Sequence, residues 1–304
     1  MHKVVDCFPY FNEKEILELR VKLLEDYVDK FVIVDANYTH SGEPKEYTLK
    51  ETISELNLPK EKIEVIELDL SEEFLPSVTQ YELHWGVEKV YSSRERLQRD
   101  AISKCLDTNN FDDDTIFIIG DCDEIINPKY IELHRECALN NPDKIFKLDL
   151  VQLEGRADMR AYYTNSPNTP REWCYSLFVC LKSHMRTTSL THIRANIYNP
   201  YPIVWAHENG YRMSDLGWHF SWMGDNSNRL IKSQSFCHHN QDLEFLKYNN
   251  YSNGQMKEFL LQYEMYEGQI SPGGDTNFIL KKYPIKNLPE IIFDLPKVKQ
   301  FLLP

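Results

Sequence analysis

The sequence has no apolar run that approaches the roughly 18 residues needed to cross a membrane. Its first residues, Met-His-Lys-Val-Val-Asp, are typical of the start of a strand and not of a signal peptide. Seven cysteines are scattered along the chain, and no Cys-x-x-Cys pair occurs among them. An odd number of unclustered cysteines favours reduced thiols over a disulfide framework. From these absences we expect a cytoplasmic protein without an integral membrane segment.

The chain is also poor in positive charge and in the glycine motifs of common nucleotide-binding proteins. Its 34 Lys and Arg residues are outnumbered by 47 Asp and Glu residues, which gives a net charge of −13. Because phosphate contacts dominate nucleic-acid affinity, such a protein without a basic stripe is not expected to bind nucleic acid. No Gly-x-Gly-x-x-Gly or Walker glycine loop is present, which argues against dinucleotide-binding and ATP-hydrolysing classes. Any anionic ligand would have to be bound by local cations, such as a metal ion and a few arginines.

Strand and helix patterns alternate along the first part of the chain. An amphipathic helix is predicted to begin at a capping box, with Asn12 as the N-cap and Glu15 as its partner. Such alternation predicts an α/β fold with a mostly parallel central sheet flanked by helices, in which ligands bind at the carboxyl ends of the strands. The other predicted elements are strands over Lys3 to Phe8, Phe31 to Val34 and Ile63 to Leu68, and helices over Leu49 to Leu56 and residues 92 to 107.

One short stretch carries the strongest chemical signal. Thr115 to Ile119 is a β-branched apolar run typical of a strand buried on both faces, and Gly120 allows a sharp turn directly after it. Asp121 and Asp123 follow, so that a turn would let both carboxylates address one cation. Hard oxygen ligands of this kind suit Mg²⁺ or Mn²⁺. The simpler alternative is a solvated acidic turn, but crowded carboxylates at the end of a buried strand repel each other, and a cation relieves that repulsion.

Polar and aromatic residues also follow other predicted strands and line one nearby helix. The first two strands lead into Phe8-Pro-Tyr-Phe-Asn12 and Asp35-Ala-Asn37, and the strand ends of a parallel sheet converge on one crevice. On the helix over residues 92 to 107, arginines could bind a diphosphate or the motif carboxylates. The alternative for this helix is a solvated face with a Glu95–Arg99 pair. The predicted nucleotide-diphosphate site consists of Phe8, Asn12, Asp35, Asn37, Arg94, Gln98, Arg99 and Asp121.

An ordered series of motifs resembles one family of enzymes. The series is Asp6-Cys-Phe-Pro-Tyr-Phe-Asn-Glu13, Phe31-Val-Ile-Val-Asp-Ala-Asn-Tyr-Thr-His-Ser-Gly-Glu-Pro44, Arg96-Leu-Gln-Arg-Asp100, Asp121-Cys-Asp-Glu124 and Gly217-Trp-His-Phe-Ser-Trp222. Over roughly residues 4 to 225 it resembles glycosyltransferase family 17. The resemblance implies a GT-A type fold, a UDP-sugar donor with UDP-GlcNAc as the first candidate, a glycan acceptor, Mn²⁺ or Mg²⁺, and inversion at the anomeric carbon. It also implies metal or diphosphate contacts by Asp121, Asp123 and His219.

The second half of the chain is expected to bind the acceptor. The polar stretch from Arg156 to Trp173 suits a sugar-binding surface, with Tyr162, Tyr163 and Trp173 as candidates for stacking on sugar rings. Core packing is the more common role of any single aromatic ring. In a single displacement, a carboxylate takes the proton of the acceptor hydroxyl. The predicted candidates for this general base are Asp215 and Glu208, followed by Glu154.

No linker divides the chain, so we predict one catalytic domain over residues 1–304. Within it, residues 1–126 form the nucleotide-sugar half, residues 127–240 the acceptor half, and residues 241–304 C-terminal helices and a tail. Four prolines between residues 284 and 304 predict that this tail lacks regular structure. Two other functions remain open, namely a metal-dependent phosphohydrolase or nucleotidyltransferase with the same acids, and a non-catalytic sugar-binding protein.

Overall fold

A computed structural model describes residues 4–71, 91–173, 177–186, 189–195, 201–205, 216–235, 253–272 and 277–303. The strands in these ranges are β1 (Val4–Pro9), β2 (Lys30–Ala36), β3 (Ile63–Leu68), β4 (Ile116–Ile119), β5 (Glu124–Ile126), β6 (Ile145–Lys147), β7 (Leu150–Glu154), β8 (Met159–Tyr163), β9 (Ser166–Pro170), β10 (Glu172–Trp173), β11 (Phe178–Leu181), β12 (Ile203–Trp205), β13 (Gly217–Ser221) and β14 (Phe278–Lys282).

The helices are α1 (Lys14–Leu24), α2 (Leu49–Glu55), α3 (Tyr91–Asp100), α4 (Cys105–Thr108), α5 (Ile131–Asn140), α6 (Leu190–Ala195), α7 (Asn226–Ser235), α8 (Asn253–Gln262) and α9 (Pro296–Leu302). Short 3-10 turns join several of them, including the turn Ala101–Lys104 that separates α3 from α4. In the part of the chain that the structure describes, none of these helices is long and apolar enough to cross a membrane.

The central sheet has the strand order β12-β6-β11-β4-β1-β2-β3. Its pairs β1–β2, β1–β4, β2–β3 and β6–β12 are parallel, whereas β11 runs antiparallel to both β4 and β6. The predicted α/β architecture with a mostly parallel central sheet is therefore confirmed. A second sheet has the order β14-β8-β7-β13-β5, with β10 added beside β7 and β9 beside β8.

Side chains of the central strands alternate between two cores, one on each face of the sheet. On β4, Ile116 and Ile118 belong to the core that includes α1, α2 and α5, while Phe117 and Ile119 belong to the core under the 3-10 turn, α4 and α6. Because both faces are covered, every position of β4 is apolar and fully buried, as the sequence pattern predicted. This layered arrangement leaves the strand ends as the place where polar side chains can gather.

The chain crosses from the first sheet to the second directly after β4. The turn between Ile119 and Glu124 carries the Asp-x-Asp motif, so the motif lies at the carboxyl end of a central strand, as predicted. Gly120 is favoured there by space and not by a left-handed backbone, because an added Cβ would come within 2.6 Å of a Leu177 methyl group and that side chain would have to shift. In the second sheet, β13 pairs antiparallel with β5 and sets His219 opposite Glu124.

Two local predictions are wrong. Asn12 does not cap α1, because it has a φ of 50° and its Oδ1 accepts a hydrogen bond from Thr48 Oγ1 at 3.1 Å. The N-cap of α1 is Glu13, which makes no side-chain capping bond. The C-terminal prolines do not prevent regular structure either, since Pro296 begins α9 at a position where its missing N–H costs nothing. Helix α9 then packs against α1, and its Val298 and Leu302 are buried.

His134 on α5 provides a pH test of this fold. Burial lowers the pKa of His134 from 6.5 to about 4. Below pH 6.5 the unfolded chain therefore takes up a proton that the folded protein does not accept until about pH 4, so stability falls as pH falls across this window. We expect His134→Gln to remove up to about 3 kcal/mol of that loss. Urea unfolding of both proteins at pH 7.0 and at lower pH measures it, and equal losses in the two proteins would contradict the assignment.

Candidate active site

A cavity of about 400 Å³ opens at the carboxyl ends of β1, β2 and β4, a size typical of small-ligand sites. On the side of the central sheet it is lined by Pro9, Tyr10, Phe11, Glu13, Tyr38, His40, Lys45, Glu95, Gln98, Arg99, Asp121, Cys122 and Asp123. On the other side it is lined by Gln152, Glu154, Arg171, Trp173, Arg194, His219, Ser221, Trp222, Lys232, Ser235 and Ser271.

The turn that carries the acidic motif is held in place by Arg20. This side chain is fully buried, and its Nη1 donates to the carbonyl oxygens of Asp121 at 2.6 Å and Glu124 at 2.9 Å. Its remaining nitrogens form a two-point ion pair with Asp6, at 2.8 Å for Nε and 2.7 Å for Nη2. Asp6 lies on β1 and Arg20 on α1, so the strand, the helix and the turn are joined in one buried network. Sequence patterns gave no indication of this pair.

Asp121 is neutralised by two arginines. Its Oδ1 accepts from Arg99 Nη2 at 2.8 Å, and its Oδ2 accepts from Arg194 Nη2. Both arginines also contact Glu95, which lies one turn before Arg99 on α3. Burial alone would raise the pKa of Asp121, but Arg194 and Arg99 outweigh burial and lower it. Asp121 is therefore a carboxylate that faces the cavity and is held between two guanidinium groups.

Asp123 is neutralised differently. Its Oδ2 accepts from Lys232 Nζ at 2.9 Å, and its Oδ1 lies 3.5 Å from His219 Nε2. Burial would raise the pKa of Asp123, yet Lys232 and His219 hold that pKa well below its usual range. The neighbouring Glu13 behaves in the opposite way, because burial and the charge of Asp123 raise its pKa to about 8. The carboxylate of Asp123 is thus ionised and faces a lysine and a histidine.

A chain of hydrogen bonds fixes the orientation of His219. Glu154 is a carboxylate and can only accept, so the amide nitrogen of Gln152 donates to it at 2.9 Å. The amide oxygen of Gln152 then accepts a hydrogen bond from His219 Nδ1 at 2.7 Å. The other ring nitrogen, Nε2, consequently points toward Asp123. Trp173 covers the imidazole ring, with the ring centroids 4.6 Å apart.

The same logic applies to His40, which also lines the cavity. The amide nitrogen of Gln98 donates to the carbonyl oxygens of Tyr10 at 3.3 Å and Val34 at 3.0 Å. Its amide oxygen therefore accepts from His40 Nε2 at 2.7 Å. Burial lowers the pKa of His40, so the ring is neutral and its Nδ1 is a hydrogen-bond acceptor. Gln98 was predicted as a ligand contact, and here it also orients a histidine that lines the cavity.

Six predicted site residues meet at the cavity, namely Gln98, Arg99, Asp121, Asp123, Glu154 and His219. Five predicted nucleotide-binding residues do not line it, because their side chains support the strand ends instead. Phe8 is buried beneath the guanidinium of Arg20, and Asp35 accepts from the backbone N–H groups of Thr48 and Leu49 at the start of α2. The others bond to neighbouring loops: Asn12 to Thr48, Asn37 to Asp69 and Leu70, and Arg94 to the carbonyl of Leu70.

The predicted base candidates Glu208 and Asp215 lie outside the described residues. The cavity adds residues that sequence reasoning missed, chiefly Glu13, His40, Arg171, Arg194 and Lys232. Glu13 and His40 belong to the quoted motifs and could have been found there, whereas Lys232 follows no pattern that marks it. In the described ranges, no group of three or more His, Cys, Asp or Glu side chains is arranged to hold a metal ion.

Comparison with known proteins decides the family. The profile of glycosyltransferase family 17 matches residues 1–153 of the 304-residue chain. This protein belongs to glycosyltransferase family 17. It is therefore a glycosyltransferase, and it has the mixed α/β architecture that the sequence predicted. The matched residues include the acidic motif, Arg20 and the helix that carries Gln98 and Arg99.

Two solved structures resemble this glycosyltransferase in part. The first is 4-diphosphocytidyl-2C-methyl-D-erythritol synthase, with 11% identity and a TM-score of 0.36 over 70% of this chain and 88% of the other. The second is residues 1–349 of S. aureus TarS, with 14% identity and a TM-score of 0.34 over 60% of this chain and 48% of the other. At these TM-scores neither similarity identifies a function. No curated protein sequence matches the chain.

Proposed function

We propose that this family 17 enzyme transfers a sugar from a UDP-sugar to a hydroxyl group of a glycan, with inversion at the anomeric carbon and with Mn²⁺ or Mg²⁺ as cofactor. UDP-GlcNAc is the first candidate donor. One observation carries the proposal: both carboxylates of the Asp-x-Asp motif face a single cavity beside the cationic groups of Arg99, Arg194 and Lys232. This is a suitable environment for a doubly phosphorylated leaving group in a protein whose net charge is −13.

The residues around Asp123 fit a divalent cation. His219 Nε2 lies 3.5 Å from Asp123 Oδ1, and a carboxylate oxygen and an imidazole nitrogen at this distance can hold a cation between them. Carboxylate and imidazole donors suit Mn²⁺, and Mg²⁺ sites commonly use one or two carboxylates plus substrate phosphates. Asp123 and His219 would hold the ion, with Gln152 orienting the imidazole. When bound, the ion would neutralise charge on the departing diphosphate.

The arginines supply the rest of the charge stabilisation. Arg99 is 2% exposed, and with Arg194 it forms a rigid pair around Asp121. Their guanidinium groups keep further N–H donors, which can bind phosphate oxygens without moving away from the carboxylate. Such preorganised donors stabilise charge that develops on a leaving group more strongly than water does.

Glu154 is the base candidate that the described part of the cavity contains. Its carboxylate accepts from Gln152 Nε2 at 2.9 Å and Ser271 Oγ, and Arg171 Nη1 lies 3.4 Å away. These contacts hold its carboxyl group at the wall of the cavity, where a general base must lie to reach the acceptor hydroxyl. Trp173 and Trp222 line the cavity on the same side, where their rings could stack against an acceptor sugar. We therefore place the acceptor between Glu154 and the acidic motif.

Ligand binding and turnover test this proposal. UDP with Mn²⁺ should raise the melting temperature more than UDP with EDTA, because a ligand that binds only the folded state stabilises it. ADP and GDP with Mn²⁺ serve as controls and should give smaller shifts. With UDP-GlcNAc and a glycan acceptor, UDP should be released in an acceptor-dependent reaction, and NMR of the first product should show an inverted anomeric centre.

Each part of the proposal has its own contrary result. Release of inorganic phosphate from UDP would indicate a phosphohydrolase, and release of pyrophosphate from UTP and a sugar 1-phosphate would indicate a nucleotidyltransferase. Glycan binding that requires neither UDP nor Mn²⁺ would indicate a sugar-binding protein. Full turnover in EDTA would contradict metal dependence, and retention at the anomeric carbon would contradict the single displacement.

A further inference from the structure

Lys232 provides a cation within the acidic motif itself. Its ammonium group lies 2.9 Å from Asp123 Oδ2, and the carboxylate of Asp123 is only 8% exposed. Asp121 is held by two arginines, so Lys232 neutralises the motif carboxylate that the arginines do not contact. Lys232 and a divalent cation would therefore be attracted to the same group.

The helix that carries Lys232 is anchored on both sides of it. Arg229 lies one turn earlier on α7, is 5% exposed, and donates to the carbonyl oxygens of Trp222 and Gly155, each at 3.0 Å. At the end of α7, the carbonyl oxygen of Ser235 accepts from Ser41 N at 3.1 Å. The backbone of Lys232 is thus fixed over the acidic turn, while its flexible four-carbon stem leaves the ammonium free to change partner.

The backbone conformation of Trp222 indicates that holding α7 over the acidic turn costs conformational energy. It has a φ of 55°, a left-handed conformation that is strained for a bulky residue. Its carbonyl is one of the groups that Arg229 binds, so the strained residue and the anchor of α7 are directly linked. Strain of this kind persists where the surrounding contacts enforce it, which is typical of ligand-binding sites.

We propose that Lys232 exchanges partners when the donor binds: it neutralises Asp123 in the free enzyme and moves to the donor diphosphate when a divalent cation binds at Asp123. The inference rests on the proposed function, since it requires a diphosphate donor and a divalent cation. Its physical reason is repulsion. A divalent cation beside Asp123 Oδ1 and an ammonium group on Oδ2 repel each other across one carboxylate, and the diphosphate is an anion to which the ammonium group can move.

The exchange predicts two effects of opposite sign for Lys232→Gln. With the competing ammonium removed, Mn²⁺ alone should bind about tenfold tighter or more than it binds the wild type. With one diphosphate contact removed, UDP in saturating Mn²⁺ should bind about tenfold weaker or more. Calorimetric titration measures both, with Mn²⁺ in the absence of nucleotide as the first probe and UDP as the second.

Matched variants separate exchange from a general loss of structure. Lys232→Arg keeps the charge and should retain both wild-type affinities within about threefold. Lys282→Gln removes a lysine that pairs with Asp158 and does not line the cavity, so it should change neither affinity. If Lys232→Gln does not give the melting curve of a folded protein, Lys232→Met is measured with the same expectations, since it keeps the apolar stem.

The outcomes also distinguish the inference from the proposed function. A wild-type protein that binds no UDP would contradict the proposed function. The exchange is wrong if the wild type binds both ligands and Lys232→Gln changes neither affinity, because Lys232 is then not involved in binding. It is also wrong if Lys232→Gln weakens both affinities, because Lys232 then has a structural role. Wild-type protein that binds UDP equally with Mn²⁺ and with EDTA would overturn the exchange and the metal dependence together.

Discussion

Asp123→Asn is expected to lower kcat/KM for sugar transfer by about a hundredfold or more while leaving the fold intact. The amide keeps the shape of the side chain but removes the charge that attracts Lys232 and faces His219. Asp121→Asn should have a comparable effect, because it releases Arg99 and Arg194 from their shared carboxylate. Acceptor-dependent release of UDP from a UDP-sugar measures both losses. These two substitutions, each of which replaces one carboxylate oxygen by an amide nitrogen, have the largest effects on activity that we predict.

Two controls apply to these variants: their thermal stability, and the substitution of an acidic residue outside the cavity. Melting temperatures should stay within a few degrees of the wild type, since the backbone of the turn is held by Arg20 and not by the motif side chains. Asp107→Asn removes an exposed carboxylate that pairs with Arg186 away from the cavity, and should leave turnover unchanged. Turnover like that of the wild type in both Asp121→Asn and Asp123→Asn would eliminate the motif from the mechanism.

Arg20→Met should lower the free energy of unfolding by about 3–5 kcal/mol, the usual cost of leaving one member of a buried ion pair alone. Both partners of the Arg20–Asp6 pair are fully buried, and Arg20 also satisfies carbonyl oxygens of the acidic turn. The variant therefore leaves a buried charge and several acceptors without donors. Urea unfolding followed by circular dichroism measures the change.

An exposed ion pair on the same helix is the matched control for Arg20. Lys14→Met breaks the Lys14–Glu55 pair, whose side chains are 44% and 50% exposed, and should cost less than about 1 kcal/mol. Combining Arg20→Met with Asp6→Leu should recover part of the loss, because no buried charge then remains. A change below about 1 kcal/mol in Arg20→Met itself would show that the network does not hold the turn.

Local sequence patterns predicted the central sheet well. The strands at residues 4–9, 30–36, 63–68 and 116–119 agree closely with the apolar runs that predicted them. Such runs report burial on both faces, which is a property of each segment by itself. The two failures have different origins. Asn12 has the residue type of an N-cap, but a tertiary contact with Thr48 gives it another partner. The C-terminal prolines were taken as helix breakers, although proline at the first turn is compatible with a helix.

The candidate site was only half predictable. The sequence by itself determined the acidic motif, the strand before it and the helix with Gln98 and Arg99, because spacing and residue type encode these features. Only the tertiary structure decided which cations neutralise the motif, since Arg194 lies 73 residues from Asp121 and Lys232 lies 109 residues from Asp123. The physical reason is that a buried carboxylate takes whichever cation the packing of distant elements brings near it. Helical and strand periodicities describe single segments and carry no information about that choice.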